Sequence, residues 1–562
     1  MPLRPPVMPP SELTPAPPLP PAAEEYPAET EGDGISTGAL GSLDFAAVGL
    51  LTPENGGFGP ETWRGADRAL VERLLPKLPV TTRSPALQKL VQRLLLSAAE
   101  PPQGTSSGAS FIGLRLGRLI EAGQFELAGQ MAALAGGPSK DEALLQARAE
   151  IALASGEFKT ACDMAAAQVR TSGAIFWLKL SGFCHILNGN EAAAQLSASL
   201  IAEQDADDTG YQNLLTALIS KSGKLPEKLP RLDILQLAMI RFASLPLPAK
   251  IDGHSSAAVL KLMARMPGAS VEQRLPAAER AEAAGAIGPE EVAQLYSEAP
   301  FSVEDRASAP ELVKKLPAAQ ANALMFQSVR GQDAPASLSL ALSAAWSLAR
   351  ASNSFATVSR VNLTPIRDLV PAPEMIEISA DAGRALLVAG DPAAASRWYD
   401  LARALSAPGN NPSAPRAANN LFPLLLLAHP VEGMPDDPVQ ITKWLAQLSP
   451  EEKNRKGPIL LSALSALGMA TPESEWVNMI QDSGKSEAVS VPPSALLHLL
   501  FEASQSGRVG QTVLLSLICL GENGEGLTDP FLLGITVRAL NTVGLQAEAR
   551  ALALDAALLA GI

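Results

Sequence analysis

The chain contains few of the residues that build sheets. Aromatic residues make up 4 % of its 562 residues, and long alternating runs of Val, Ile, Thr and Tyr are absent. The apolar fraction of 47 % consists mostly of Ala and Leu, which favour helices over strands. The composition therefore predicts an all-α protein with almost no strand.

Residues that carry catalysis or bind metals are also scarce. The four histidines are His185, His254, His429 and His498. No two of them have the spacing of a metal site. Residues 104–108 have the letters of a G-x-S-x-G nucleophile elbow and residues 483–486 those of the end of a phosphate-binding loop, but no strand precedes either. The sequence therefore predicts no catalytic, cofactor-binding or metal-binding residue.

The three cysteines, Cys162, Cys184 and Cys519, lie in apolar helical stretches and form no C-x-x-C motif. This pattern predicts buried free thiols rather than a disulfide framework or a metal site. Residues 205–210 resemble the start of a calcium loop. Thr216 stands where such a loop needs Glu, so we expect Asp208 or Thr209 to cap a helix instead.

Basic patches and long apolar runs are missing as well. The net charge is −14 and Lys and Arg are scattered, which argues against a nucleic-acid partner. No stretch reaches the 18 apolar residues of a transmembrane segment. We expect a chain without membrane spans that contacts other proteins.

Residues 1–42 differ in composition from the rest. Eleven prolines occur in the first 30 positions, followed by an acidic, Gly-containing run. This composition predicts a disordered Pro-rich arm that could recruit a second partner. It lacks the features of a signal peptide. A cytoplasmic location is the default expectation, and a periplasmic one applies if an export signal lies upstream.

A repeated pattern occupies the region that follows. Glycines recur at intervals of 33 residues, each followed five positions later by an alanine: Gly123 and Ala128, Gly156 and Ala161, Gly189 and Ala194. Glycine accepts the positive φ of a tight turn, and alanine lets two helices approach closely. The spacing predicts three stacked helix hairpins over residues 111–200.

The pattern returns in residues 378–409, where it resembles the tetratricopeptide repeat. The matching positions are Gly383, Gly390, Ala395, Tyr399 and Ala402. Ser379 and Leu386 depart from the Trp and Tyr that the family favours. The resemblance implies an α-solenoid of antiparallel helix hairpins with a concave groove that binds a protein or an extended peptide. The family's basic or Asn-rich carboxylate clamp is not identifiable in this sequence.

Composition and repeats divide the chain into six segments. These are the arm at 1–42, an N-terminal helical cap with a linker at 43–110, tetratricopeptide-like repeats at 111–225, a degenerate helical region at 226–370, a further repeat at 371–408 and C-terminal helical repeats at 409–562, which include Gly544 and Ala549. In the cap we expect a helix beginning at Pro60 and Glu61. Trp63 and Arg64 on its first turn could contact a partner.

These features favour a non-enzymatic scaffold for protein–protein or protein–peptide interaction. The oligomeric state is not predicted. The rival hypothesis is a helical enzyme in which His185, His254 or His498 meets carboxylates in one deep pocket. The Ala and Pro bias also resembles that of chains labelled antifreeze-glycopeptide-related. However, the Thr-Ala-Ala repeat needed for ice binding is absent.

Overall fold

Small polar side chains begin many of the helices in this protein. In the computed structural model, Ser110 Oγ accepts a hydrogen bond from Gly113 N at 3.0 Å, and Asp208 Oδ1 accepts one from Tyr211 N at 3.0 Å. Both are N-caps, so Asp208 does cap a helix as predicted. The structure describes residues 45–108, 110–136, 139–225, 229, 231–248, 253–407, 411–428, 438–482, 492–522 and 524–562. The predicted arm at 1–42 lies outside these ranges.

Helices account for the secondary structure of the described ranges, which contain no strand and only two isolated β-bridges, Leu51 with Ser97 and Asp67 with Gln103. The all-α prediction is confirmed for this part of the chain. Short 3₁₀ helices occur at Phe45–Ala47, Pro53–Asn55, Leu75–Lys77, Val313–Lys315, Pro373–Ile378 and Glu525–Thr528. No described helix has the length and apolarity needed to cross a bilayer.

The segment before the repeats contains helices α1 (Arg68–Leu74) and α2 (Pro85–Leu96). The helix predicted to begin at Pro60 and Glu61 is not formed, so that prediction was wrong. Successive turns replace it, in which Arg64 N donates to Glu61 O at 2.9 Å. Gly65 then takes a φ of 72°, which a right-handed helix does not allow.

The repeat region forms consecutive helices that contact their neighbours along the chain. They are α3 (Phe111–Glu121), α4 (Phe125–Leu134), α5 (Glu142–Ser155), α6 (Phe158–Gln168), α7 (Ile175–Leu187), α8 (Glu191–Gln204) and α9 (Thr209–Ile219). The first six make three pairs, each joined by one of the turn glycines. The chain therefore turns at the glycines that the 33-residue spacing singles out.

Cys162 on α6 and Cys184 on α7 form a disulfide with their Cα atoms 5.6 Å apart. The prediction of free thiols was therefore wrong for these two residues and correct for Cys519, which is free and buried. The 22-residue separation in sequence carried no signal of pairing. Contact between α6 and α7 brings the two side chains together.

The region at 226–370, called degenerate from its sequence, is helical throughout its described part. Its helices are α10 (Ile234–Phe242), α11 (Ala257–Ala264), α12 (Val271–Ala283), α13 (Pro289–Glu298), α14 (Val303–Ala307), α15 (Ala309–Leu312), α16 (Ala318–Arg330), α17 (Pro335–Ala351), α18 (Phe355–Val361) and α19 (Leu363–Asp368). Helices α10 and α11 turn back onto α5 and α3. The buried Lys261 of α11 fixes this contact by donating to Gly123 O at 2.8 Å.

The C-terminal third continues the same pattern of contacting helices. They are α20 (Ser379–Val388), α21 (Pro392–Ala404), α22 (Ser413–Ala428), α23 (Pro438–Ala446), α24 (Pro450–Ala466), α25 (Glu473–Asp482), α26 (Ser494–Gln505), α27 (Val509–Leu520), α28 (Pro530–Thr542) and α29 (Gln546–Leu559). Gly383 of α20 is a site of close approach, because a Cβ there would lie 2.5 Å from a methyl carbon of Leu421.

Helices near the two ends of the described chain meet. Helix α2 contacts α3, α27 and α29. Asp555 of α29 accepts hydrogen bonds from Ser84 Oγ at 2.5 Å and Ala86 N at 2.9 Å. The segment predicted to cap one end of an open array therefore joins its two ends.

Candidate functional site: a groove along three repeated helices

The turn glycines and their partner alanines occupy equivalent places in the structure. Each glycine has a positive φ: 73° at Gly123, 81° at Gly156, 71° at Gly189, 76° at Gly390 and 86° at Gly544. Each alanine five positions later is fully buried: Ala128, Ala161, Ala194, Ala395 and Ala549. The glycines thus reverse the chain in a conformation that a Cβ disfavours, and the alanines allow close helix contact.

An open groove of about 590 Å³ runs along α3, α5 and α7. Gly113, Gln146 and Lys179 line it, one from each helix. They are 33 residues apart and each stands ten positions before a turn glycine. Equivalent positions on successive helices fall on one line, so the 33-residue repeat is also the repeat of this surface.

The groove has apolar walls between its polar positions. Leu114 of α3 and Ile175 and Phe176 of α7 contribute from the repeats. Leu232 before α10 and Ile234 at the start of α10 close the opposite side. A groove with apolar walls and a few polar groups has the general character of a ligand-binding surface.

Two cations of the groove are already paired with acids. Lys179 Nζ lies 2.7 Å from Asp205 and 2.6 Å from Asp208. Arg118 pairs with Glu121 and donates to Pro76 O at 2.8 Å. These charges hold the walls of the groove in place.

Glu150 of α5 forms no ion pair with a cation among the described residues. Its described partner is Gln146, whose Nε2 donates to it at 2.8 Å. Burial raises the pKa of the Glu150 carboxyl to about 7, the Gln146 hydrogen bond opposes this, and nearby Asp233 adds to it. A titratable group shifted in this way within a cleft is typical of functional sites.

Gly117 of α3 is unusual among the glycines. It lies in the middle of the helix, on the groove wall, where an added Cβ would have nothing within 4 Å. A glycine in a helix interior costs about 1 kcal/mol relative to alanine. Neither a turn nor internal packing explains this cost, whereas close approach of a ligand would.

The described histidines do not line this groove. His185 lies on α7 with its Nε2 3.5 Å from Ser181 Oγ, His498 lies on α26, and His254 precedes α11. None of these three histidines therefore contributes to this groove. His429 and residues 483–486 lie outside the described residues.

Two serines of the G-x-S-x-G stretch at 104–108 donate hydrogen bonds to the buried carboxylate of Glu72. Ser106 Oγ donates to Glu72 Oε1 at 2.9 Å, and Ser107 Oγ donates to Glu72 Oε2 at 2.6 Å. Arg68 Nε also donates to Glu72 at 2.7 Å. The motif therefore packs the linker onto α1 and is not placed as a nucleophile elbow.

The predicted partner contacts Trp63 and Arg64 lie in different environments. Trp63 is 2 % exposed and its ring packs edge-on against Phe111 at 5.8 Å. The indole therefore has no surface to offer a partner in this conformation. The side chain of Arg64 is 71 % exposed and pairs with Glu61 at 2.8 Å, so contact through Arg64 stays a prediction.

The sequence analysis missed the residues that line the groove. A signal for them existed, because Gly113, Gln146 and Lys179 follow from extending the 33-residue register ten positions back from each glycine. The raised pKa of Glu150 had no such signal, since it depends on the segment 231–235 that closes over the groove.

The described residues contain no group of three or more His, Cys, Asp or Glu side chains placed to hold a metal ion. Comparison with known proteins gives no match to a protein-family model, to a curated protein or to a solved structure.

Proposed function

We propose that this protein is a non-enzymatic helical-repeat scaffold, of tetratricopeptide-like construction, that binds an extended segment of another protein. The observation that carries the proposal is the line of Gly113, Gln146 and Lys179 along one groove. A surface that repeats at the spacing of its helices suits a ligand that is itself periodic, and an extended peptide is the simplest such ligand.

The dimensions suit a short peptide. Helices α3 and α5 pack against each other, and packed helices are separated by about 8–10 Å. An extended chain rises about 3.3 Å per residue. About three residues therefore cross from α3 to α5, and a longer peptide is needed to reach α7.

The chemistry indicates which side chains the peptide carries. Glu150 has no cationic partner among the described residues, so a Lys or Arg of the peptide would supply one. The apolar walls would hold apolar neighbours of that residue. Pairing would lower the pKa of Glu150 from about 7, so we expect binding to release protons and to strengthen as pH rises from 6 to 8.

The test is selection from a phage-displayed library of random twelve-residue peptides on the full chain. We expect enrichment of peptides with one basic residue among apolar ones. Glu150→Gln should weaken the selected peptides at least tenfold. Gly117→Leu should abolish binding without loss of stability, because the leucine would project into the groove.

Glu203→Gln, on the exposed face of α8, is the matched control and should bind as the parent does. Enrichment that survives Gly117→Leu, or no enrichment at all, would contradict the proposal.

A further inference from the structure

A second cavity lies at the junction where α2, α18, α20 and α29 meet. Its volume is about 480 Å³, within the usual range for small-molecule sites. Four arginines line it, with Glu525 and Asp555 as the acids: Arg83, Arg350, Arg360 and Arg384. We name it the arginine cavity. It is separate from the groove, and ligand binding there does not depend on the proposed function.

The four arginines differ in how they are paired. Arg350 pairs with Asp381, and Arg360 donates to Glu282 from Nε at 2.5 Å and from Nη2 at 2.9 Å. Nη1 of Arg360 is buried and has no hydrogen-bond partner. Nε and Nη2 of Arg360 are therefore hydrogen-bonded to Glu282, whereas Nη1 has no acceptor.

The other two arginines have no described partner of either kind. Nε of Arg384 is buried without a hydrogen bond, and no ion pair joins Arg384 or Arg83 to any described acid. Burial lowers the pKa of the Arg384 guanidinium, and Asp381 only partly offsets this. Buried donors in native proteins are nearly always satisfied, so the unsatisfied Nε of Arg384 beside a cavity indicates a missing hydrogen-bond acceptor.

The acids around the cavity do not fill this role, and Glu525, which lines it at an exposed position, forms no ion pair with these arginines among the described residues. Asp555 is committed to Ser84 Oγ and Ala86 N. Glu282 is committed to Arg360 and to Thr357 Oγ1 at 2.6 Å. The cavity thus retains donors for an oxyanion from outside.

Apolar side chains complete the wall. Phe355, Val388, Leu558 and Leu559 line the cavity beside the arginines. Leu559 is 47 % exposed. An inorganic ion alone would leave this surface in contact with water, whereas a ligand with an apolar part would cover it.

We propose that the arginine cavity binds a small organic phosphate monoester, with its phosphate on Arg384, Arg83 and Arg360 and its apolar part on Phe355 and the α29 leucines. Two guanidinium groups without partners match a dianion. The fork of N–H donors on arginine suits phosphate oxygens.

The experiment is calorimetric titration of the full chain with four probes: phenyl phosphate, inorganic phosphate, benzoate and benzyl alcohol. We expect phenyl phosphate to bind, inorganic phosphate and benzoate to bind at least tenfold more weakly, and benzyl alcohol not to bind. Equal affinity for inorganic and phenyl phosphate would overturn the apolar part of the proposal, and no binding of phenyl phosphate would overturn all of it.

Variants separate a binding role from a structural one. Arg384→Met should weaken phenyl phosphate at least tenfold and raise the midpoint of thermal unfolding without ligand, because it replaces an unpartnered buried cation. A structural arginine would instead lower that midpoint. Arg83→Gln, at an exposed position, should weaken binding about fivefold without changing the midpoint.

Arg538→Met, on the exposed face of α28, is the matched control and should change neither quantity. Retained binding in Arg384→Met, or a lowered midpoint, would refute the assignment.

Discussion

The groove and the arginine cavity bring residues of different helices together in two different ways. The groove draws Gly113, Gln146 and Lys179 from equivalent positions of a 33-residue repeat. The arginine cavity draws its four arginines from the residues before α2 and from α17, α18 and α20, which share no such repeat. The comparison teaches that a periodic sequence can specify a surface through local geometry alone, whereas a junction depends on how distant helices close on each other.

The largest effect is expected at the junction. Glu282 has a side chain 2 % exposed and a two-point contact with Arg360. Glu282→Ala leaves a buried guanidinium without its partner, which costs about 3–5 kcal/mol. Urea unfolding of the full chain measures this loss. Glu298→Ala is the control, because its pair with Arg274 spans 3.5 Å on the surface, and it should cost less than about 1 kcal/mol. Equal losses in the two variants would contradict the junction's dependence on Glu282.

In the repeat region, replacing a turn glycine by alanine should cost more stability where less space surrounds the glycine. Gly123→Ala combines positive φ with a Cβ placed 2.9 Å from that of Ala286, so we expect a loss of about 3 kcal/mol. Gly189→Ala has the same φ strain but nothing within 4 Å, and should lose about 1 kcal/mol. Thermal and urea unfolding of the two variants, compared with each other, measure how much the contact between position 123 and Ala286 adds to the strain of the turn. A loss at Gly189 as large as that at Gly123 would show that the turn alone matters.

The acid in the groove should make stability depend on pH. Because the pKa of Glu150 is raised from 4.5 to about 7 in the folded protein, the unfolded chain loses this proton first as pH rises. The free energy of unfolding therefore falls between pH 4.5 and 7 and is level above that.

Glu150→Gln removes this dependence. Its advantage over the parent should be near zero at pH 4 and reach about 1–2 kcal/mol at pH 8, less than the full shift implies because water reaches the partly buried carboxylate. Urea unfolding at both pH values measures it. An advantage that is the same at pH 4 and pH 8 would exclude Glu150 as the titrating group.

The smallest effect separates folding from function within the groove. Gly117→Ala places a methyl group in open space and removes a flexible residue from α3. It should therefore raise the free energy of unfolding by about 0.5–1 kcal/mol. If peptide binding falls while stability rises, Gly117 is kept for the ligand. A loss of stability would mean that α3 itself requires the glycine.

Much of the fold in residues 111–200 could be predicted from particular residues. Three turns could be predicted at Gly123, Gly156 and Gly189 because few other residues accept positive φ. The alanines five positions later predicted close helix contact. The first helix was mispredicted at Pro60 because start signals act locally, whereas Trp63 is buried against Phe111, 48 positions away. The Cys162–Cys184 disulfide was missed because pairing depends on the contact between α6 and α7 and not on spacing.

The sequence by itself determined that this chain is helical where it is described, that its repeats turn at glycine, and that equivalent positions recur every 33 residues within residues 111–200. These features arise from conformational preferences and periodicity that operate within a few dozen residues. Only the tertiary structure decided that α2 contacts both α3 and α29, that Glu150 lines one groove with residues 231–235, and that Arg83 lines one cavity with Arg384. Contacts between residues hundreds of positions apart depend on how all the intervening helices pack against one another, and no local sequence pattern specifies that packing.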